Sequence, residues 1–201
     1  MSFVLSVTKI DYNTSKLNLG CGEFKKPGYL NVDFGSVSVP DLVHNLEIVP
    51  YPFENSSFEL VEADHLLEHL DDPFLVMKEI HRITKHGGKV VIRTPHFSRG
   101  FTHPEHKRGF DLTFPLYFNP TFPGGYQGVN YELDRIKIRW FAQPDLKRRV
   151  LSPIVFKGLQ IVGMIIDVFA NLSPMVCSRL WCYWVGGFEE IEFRFSVHKD
   201  I

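Results

Sequence analysis

The sequence predicts an open α/β sheet in which most strands are parallel. Three observations support this prediction: short apolar runs alternate with turns or helical segments up to residue 96, a glycine-rich turn follows the first run, and one strongly alternating strand lies near the end of the chain. Alternation of strands and helices is typical of a parallel sheet. Ligands bind such sheets beside the carboxyl ends of the strands, so we expect the functional site there.

The first two predicted strands enclose KLNLGCGEFKKPGYLNVDF, residues 16–34. The first apolar run ends at Leu19, and Gly20 and Gly22 then allow positive φ and a close approach of backbone N–H groups to a ligand. The second run ends at Asp33, whose carboxylate can accept hydrogen bonds from a ribose diol. These residues predict a nucleoside site, although a lone G-x-G is also found in ordinary strand-to-helix turns.

The next two strands are predicted to be joined by loops. Residues 41–47 form a third short strand, where Asn45 and Leu46 suit the neighbourhood of an adenine ring. Proline and serine make residues 50–57 a loop rather than a helix. Residues 58–63 form the fourth strand, and we expect one face of the sheet to be thinly covered.

The clearest predicted helix follows the fourth strand. Asp72 can cap it and Pro73 suits its first position. Apolar residues recur at helical spacing up to Thr84, and the pair Gly87-Gly88 is expected to end the helix. Residues 89–94 then form the fifth strand.

The rest of the chain is less regular. Residues 97–130 are rich in aromatic residues, histidine, proline and glycine, and are predicted to be loops over the strand ends. Residues 131–141 form a strand with a bulge near Arg135. The mostly apolar residues 150–172 form a helix predicted to cover the bare sheet face, and residues 190–198 form an antiparallel last strand.

Composition limits the class of protein. The 201 residues carry 22 basic and 23 acidic side chains, so no nucleic-acid partner is expected. Three cysteines without a paired spacing favour a reducing compartment. No signal peptide is recognised and no apolar stretch reaches roughly 20 residues. We therefore expect a cytoplasmic protein.

Residues 16–96 contain five motifs in this order: LNLGCGE, NVDF, PYPFENSSFELV, HLLEHL and EIHRITKHGGKVVIRTPH. Together these motifs resemble the class I S-adenosylmethionine-dependent methyltransferases. The nearest branch is a small one with LNLGCG and LEHL. The resemblance implies a Rossmann-like fold with a mostly parallel seven-stranded sheet, an antiparallel last strand and helices on both faces. We expect a single domain, 1–201, with a cofactor-binding core (16–96), an acceptor-site loop region (97–130) and C-terminal strands with an apolar helix (131–201).

The resemblance also implies that S-adenosylmethionine is the cofactor and which residues bind it. The methionine end is expected to face Gly20, Cys21 and Gly22, and the ribose to contact Asp33. The adenine is expected beside Asn45 and Leu46, and the sulfonium beside Asp64 and His65. Leu19 and Phe34 complete the set of cofactor-binding residues. The family often has acids at the positions of Asn18 and Asn45. A missing third glycine and the early position of Asp33 disfavour a dinucleotide cofactor.

Candidate catalytic residues come from five histidines between residues 65 and 106 near predicted strand ends. Methyl transfer to a hydroxyl or amine releases a proton that a histidine can take. We predict His65 and His106 as the leading bases and His96 as a third. The predicted acceptor-lining residues in the irregular segment are Phe101, His103, Phe110 and Tyr117.

The resemblance favours O-methylation of a small-molecule or saccharide and glycolipid acceptor. A nucleoside-binding protein without activity and an NAD-dependent oxidoreductase on the same fold remain alternatives. The set His65, Glu68, His69 and His106 looks like the divalent-ion site of small-RNA 2′-O-methyltransferases, but a histidine replaces the first carboxylate, and we predict no metal. Residues 147–172 can contact a membrane or a second copy, and the oligomeric state stays open.

Overall fold

The computed structural model describes residues 13–35, 38–100, 103–184 and 187–199. Seven strands form one sheet: β1 (Lys16–Leu19), β2 (Leu30–Asp33), β3 (Leu42–Val43), β4 (Phe58–Asp64), β5 (Thr84–Pro95), β6 (Asn130–Arg139) and β7 (Glu190–His198). Their order across the sheet is β3-β2-β1-β4-β5-β7-β6.

Only β7 runs against the other strands. Strands β1 to β5 pair in parallel, and β7 pairs antiparallel with both β5 and β6. The carboxyl ends of β1, β2, β4 and β5 therefore lie at the same edge of the sheet as the start of β7. This arrangement confirms the predicted class I fold and defines the edge on which a site can form.

The helices are α1 (Pro73–Ile83), α2 (Phe97–Gly100), α3 (Pro144–Val150), α4 (Pro153–Ala170) and α5 (Pro174–Arg179), with 3₁₀ helices at Leu67–His69, Phe114–Phe118 and Trp181–Tyr183. Helix α1 begins as predicted. The Asp72 carboxylate accepts hydrogen bonds from the backbone N–H groups of Phe74 and Leu75, both at 3.0 Å, and Pro73 occupies the first turn. The apolar stripe of α1 is buried in the core.

Two predicted boundaries were wrong. Strand β3 has two residues rather than seven. Helix α1 ends before Gly87-Gly88, because the Thr84 hydroxyl donates to the Ile80 carbonyl at 2.7 Å and Thr84 already pairs with Phe58 of β4. The bulge in β6 is confirmed, since the register shifts between Leu133 and Arg135.

Part of the segment predicted to consist of loops belongs to the hydrophobic core. Phe110, Phe114 and Phe118 are buried, and the Phe114 ring lies 5.7 Å from Phe74 and 5.8 Å from Phe193. Burying these rings removes a large apolar area from water. Residues 110–118 therefore stabilise the fold as well as connecting its elements.

Helix α4 does not cover a sheet face, so that prediction was wrong. It lies along β6, the edge strand, and buries only Phe156, Gly163 and Ala170. The Asp167 carboxylate accepts from the Trp140 backbone N–H at 2.7 Å, and the Asn171 amide oxygen accepts from that of Ile138 at 2.9 Å. The side of α4 that faces away from β6 is exposed and apolar.

Candidate functional site

The glycine turn after β1 is shaped by two different constraints. Gly20 and Gly22 both have positive φ, at 65° and 47°. A Cβ atom on Gly20 would lie 2.8 Å from Leu66 Cδ1, whereas one on Gly22 would meet no atom within 4 Å among the described residues. Gly20 is thus required by packing, and Gly22 borders open space in which a ligand can approach the backbone.

Asp33 joins this turn to the end of β2. Its Oδ2 accepts from the Gly22 backbone N–H at 2.8 Å, and its Oδ1 accepts from that of Gly35 at 2.9 Å. Each carboxylate oxygen retains a further lone pair for a ligand hydroxyl. The structure therefore brings together Gly22 and Asp33, the two residues on which the nucleoside prediction depends.

A buried amide network lies beneath the turn, and sequence reasoning did not find its role. The Asn18 amide donates to Asn31 Oδ1 at 2.9 Å, and the same oxygen accepts from the Lys26 backbone N–H at 2.8 Å. Asp41 accepts from the side-chain and backbone nitrogens of Asn31, each at 2.8 Å. Two asparagines in buried strands were the available signal, because a buried amide requires partners.

The predicted adenine residues lie beside the end of β2. The backbone N–H of His44 donates to the Asp33 carbonyl at 2.9 Å, which holds Asn45 and Leu46 near Asp33. Asn45 is exposed and accepts from the Glu47 N–H, whereas Leu46 is buried. The predicted residue Phe34 is also exposed.

His65 lies at the end of β4, between two acids. It has a positive φ of 51°, its Nε2 lies 3.0 Å from Glu190 Oε2 and its Nδ1 lies 3.4 Å from Glu68 Oε1. Burial favours the neutral ring, but the hydrogen bond with Glu190 and the negative charges of Glu68 and Glu190 raise the pKa of His65 to about 9. At this pKa the side chain is an imidazolium at neutral pH, which argues against the general-base role predicted for it.

Asp64, next to His65, belongs to an ion-pair network along the same edge. It lies 2.5 Å from Arg93 Nη1 and 2.8 Å from Lys26 Nζ. Burial alone would raise the pKa of Asp64, but the cations Arg93 and Lys26 hold it below its usual value. Sequence reasoning missed Arg93 and Glu190, because alternating charges on strands resemble a solvated face.

His96 occupies a closed environment. It is 0% exposed, its Nδ1 lies 2.7 Å from the Ser98 hydroxyl and its Nε2 lies 2.9 Å from that of Ser178. Burial lowers the pKa of His96 to about 4. An enclosed neutral ring with both nitrogens bonded cannot reach an acceptor, so the predicted catalytic role of His96 was wrong.

His106 lies on a loop held against the 3₁₀ helix Leu67–His69. The Lys107 backbone N–H donates to the Glu68 carbonyl at 2.8 Å, and the His106 ring lies 4.9 Å from the rings of both His69 and His103. Its Nε2 lies 4.0 Å from Glu68 Oε1, and the side chain remains partly exposed. His106 stays a candidate base, because it is neither enclosed like His96 nor held between two close acids like His65.

The same residues include a set that can hold a divalent ion. Glu68, His69 and His106 each offer one ligand atom, and these atoms lie within 4.8 Å of one another. The Glu68 side chain is 0% exposed, and neither of its oxygens has a hydrogen-bond partner in the described part of the chain. Its charge also balances that of His65, so the group has a role without a metal.

The predicted acceptor residues are dispersed. His103 stacks on His106 and is exposed, so it stays a candidate. Phe110 is 4% exposed and packs in the core, which corrects its assignment as a lining residue. Tyr117 packs on Phe74 of α1, with ring centres 5.3 Å apart, and Phe101 lies outside the described residues.

Comparisons with known proteins agree with this geometry. Residues 2–92 match the family described as a methyltransferase domain. A demethylmenaquinone methyltransferase from Lactococcus lactis subsp. lactis (strain IL1403) is 31% identical over 109 residues, which make up 54% of this chain and 38% of that protein. The chain thus matches less than half the length of this curated relative.

Solved structures show the same fold. The YcgJ protein of Bacillus subtilis has a TM-score of 0.53 and 15% identity, with 92% of each chain covered. A SAM-dependent methyltransferase from Archaeoglobus fulgidus has a TM-score of 0.53 and 16% identity, covering 92% of this chain and 86% of that one. The family match over residues 2–92 and the strand order of the sheet both agree with a class I S-adenosylmethionine-dependent methyltransferase.

Proposed function

We propose that this protein transfers a methyl group from S-adenosylmethionine to an oxygen atom of a small-molecule or saccharide-bearing lipid acceptor. The observation that carries the proposal is the contact between Asp33 and the Gly22 backbone, beside open space at the carboxyl ends of β1 and β2. The curated relative is named for a demethylmenaquinone, which supports a small-molecule acceptor.

The residues at this edge fit the cofactor. S-adenosylmethionine, when bound, supplies a methyl group carried on a positively charged sulfur. The Asp33 carboxylate would accept hydrogen bonds from the ribose, Asn45 and Leu46 would hold the adenine, and the turn Leu19–Gly22 would hold the methionine end. Asp64 would supply negative charge for the sulfonium, although Arg93 and Lys26 balance much of it.

We assign the proton transfer to His106. His106 would take the proton that the acceptor hydroxyl releases when its oxygen receives the methyl group of the bound cofactor. The Glu68 carboxylate, 4.0 Å from His106 Nε2, stabilises the imidazolium that forms. His65 holds Glu68 and Glu190 in place as a cation and takes no proton.

Binding of S-adenosylhomocysteine, measured by calorimetry, tests the cofactor site. Asp33→Ala is expected to weaken binding by about 1 to 3 kcal/mol, because buried polar groups lose their partner. Asp71→Ala removes an exposed carboxylate and is the matched control, with unchanged affinity expected. Unchanged affinity of the Asp33 variant, with a normal unfolding temperature, would remove Asp33 from the site.

A transfer assay separates the proposed function from its alternatives. His106→Gln is expected to lower the transfer rate by roughly a hundredfold or more while S-adenosylhomocysteine binding is retained. Tight binding without transfer to any fraction of a cell extract would indicate an inactive nucleoside-binding protein. Binding of NAD instead of S-adenosylhomocysteine would indicate an oxidoreductase.

A further inference from the structure

Helix α4 carries apolar side chains on the face that a helix of a water-soluble domain usually fills with polar ones. Positions three, four and seven residues apart share a helical face. The outward face carries Ile154, Ile161, Ile165 and Val168, all exposed, and Ile154 is 87% exposed. The polar residue Asp167 points toward β6, where it accepts from the Trp140 backbone. Water therefore contacts the apolar side of this helix.

The apolar surface continues beyond α4. Trp181, Tyr183 and Trp184 follow α5 and are exposed, with Trp184 at 88%. We call the exposed apolar residues of α4, α5 and 181–184 the α4–α5 surface. Contiguous apolar patches of this kind mark interaction sites, and exposed tryptophan and tyrosine are typical of a membrane interface.

A cavity of about 420 Å³ opens within this surface. It lies between α4 and α5, and apart from Ser173 all its lining residues are apolar, among them Ile165, Phe169 and Trp181. Its size lies within the range of small-molecule sites. An unbranched hydrocarbon chain suits such a lining, because no polar partner is needed. The cavity borders β6, which lies four strands from β1 and hence roughly 19 Å from the glycine turn.

The segment that carries the α4–α5 surface has a net positive charge, opposite in sign to that of the whole chain. Residues 144–184 carry five basic and two acidic side chains, whereas the chain as a whole has a formal charge of −1. Arg148 of α3 is exposed, and so is Lys157 in the first turns of α4, where it lies between Ile154 and Ile161 on the outward face. Basic side chains beside an apolar helix face are the pattern of helices that lie on anionic lipid.

Other occupants fit less well. By length and composition α4 is the one helix of the described residues that can cross a membrane. Its bonds from Asp167 and Asn171 to the β6 segment nevertheless hold one side against protein. A symmetric dimer through the same surface would bring its basic residues on both copies toward each other.

We propose that the α4–α5 surface binds the surface of an anionic lipid bilayer, with lipid hydrocarbon entering the cavity between α4 and α5. The bound region is connected to the candidate site, because Arg149 of α3 pairs with Glu23 of the glycine turn at 2.8 Å. Binding of this surface to lipid does not depend on methyl transfer. Lipid binding can therefore be absent while the proposed function holds, and methyl transfer can be absent while lipid binding holds.

Vesicle binding tests the proposal directly. The three tryptophans of the chain, Trp140, Trp181 and Trp184, all lie in or beside this surface, so their fluorescence reports on it. The full chain is mixed with vesicles of phosphatidylcholine alone or with phosphatidylglycerol, and binding is measured by co-sedimentation. Brominated acyl chains in the same vesicles are expected to quench the tryptophan fluorescence.

Matched variants identify the surface. Ile161→Glu is expected to lower partitioning onto anionic vesicles by roughly tenfold or more, since each buried isoleucine contributes at least that factor. Ile48→Glu alters an isoleucine of comparable exposure far along the chain and is expected to bind like the wild type. Lys157→Glu is expected to reduce the preference for anionic over neutral lipid. Thermal unfolding of each variant checks that it folds.

Three results would overturn the proposal. The first is no binding of the folded wild type to either vesicle, and the second is equal loss of binding in Ile48→Glu and Ile161→Glu. The third is a stable dimer without lipid, seen by sedimentation equilibrium, that Ile161→Glu dissociates. That last result would assign the surface to a second copy of the chain.

Discussion

The environment of His65 predicts a specific dependence of stability on pH. Glu190 and Glu68 raise the pKa of the folded side chain to about 9, whereas its ordinary value is 6.5. The folded protein therefore binds this proton more tightly than the unfolded chain does. The resulting stabilisation is fully present below pH 6.5 and is lost as the pH rises through 9.

The size of the effect follows from the two pKa values. Their difference of about 2.5 corresponds to about 3 kcal/mol in the free energy of unfolding. This is a large share of the total for a domain of this size, since native proteins are stable by only about 5 to 15 kcal/mol. The side chain is 19% exposed, so solvent screening does not remove the effect.

Chemical denaturation at pH 6 and pH 10 measures this change, with His65→Asn as the comparison. Asparagine tolerates the positive φ of this position and does not titrate. The wild type is expected to lose about 3 kcal/mol more than the variant between the two pH values. NMR titration of the His65 ring is expected to show a midpoint near pH 9. Parallel pH profiles, or a midpoint near 6.5, would refute the assignment of His65 as a stabilised cation.

Three further predictions concern other residues. The pKa of His96 is about 4 in the folded state, whereas its ordinary value is 6.5. The free energy of unfolding is therefore expected to fall by about 3 kcal/mol as the pH drops from 6.5 to 4. Denaturation measurements on His96→Gln should not show this loss. Gly20→Ala is expected to destabilise the protein by about 2 to 4 kcal/mol, because Gly20 has a positive φ and a Cβ atom there would clash with Leu66. Gly22→Ala is expected to cost only about 1 to 2 kcal/mol, because only the positive φ opposes it. Equal unfolding temperatures of the two variants would contradict this prediction. Exhaustive chelation of metal ions is expected to leave methyl transfer unchanged, because Glu68 already pairs with His65. A loss of activity that one divalent ion restores would instead make Glu68, His69 and His106 a metal centre.

Much of the fold was predictable because its signals are local. The glycine turn, the carboxylate at the end of β2 and the Asp72 cap of α1 depend on neighbouring residues, and the structure shows each of them. The proximity of Gly22 and Asp33 also follows from sequence, since adjacent parallel strands end at one edge. The sequence alone thus determines the class of fold and the edge of the sheet at which the nucleoside site is predicted.

The charge states of the histidines were decided by tertiary structure. Glu190 is 125 residues from His65 and reaches it only because β7 enters the sheet antiparallel, with its first residue at the carboxyl edge. Ser178, which helps to enclose His96, is 82 residues from it along the chain. A pKa depends on the charges and solvent within a few ångströms, and such contacts between distant segments leave no local pattern.

The position of α4 is the second feature that only the structure reveals. Its composition suits a core helix, a membrane helix or an interface equally well. The hydrogen bonds from Asp167 and Asn171 to the β6 segment fix its rotation, so Gly163 faces the protein and Ile161 and Ile165 face outward. The hydrophobic effect has no direction of its own, and these few polar contacts determine which side of the helix is left to a partner.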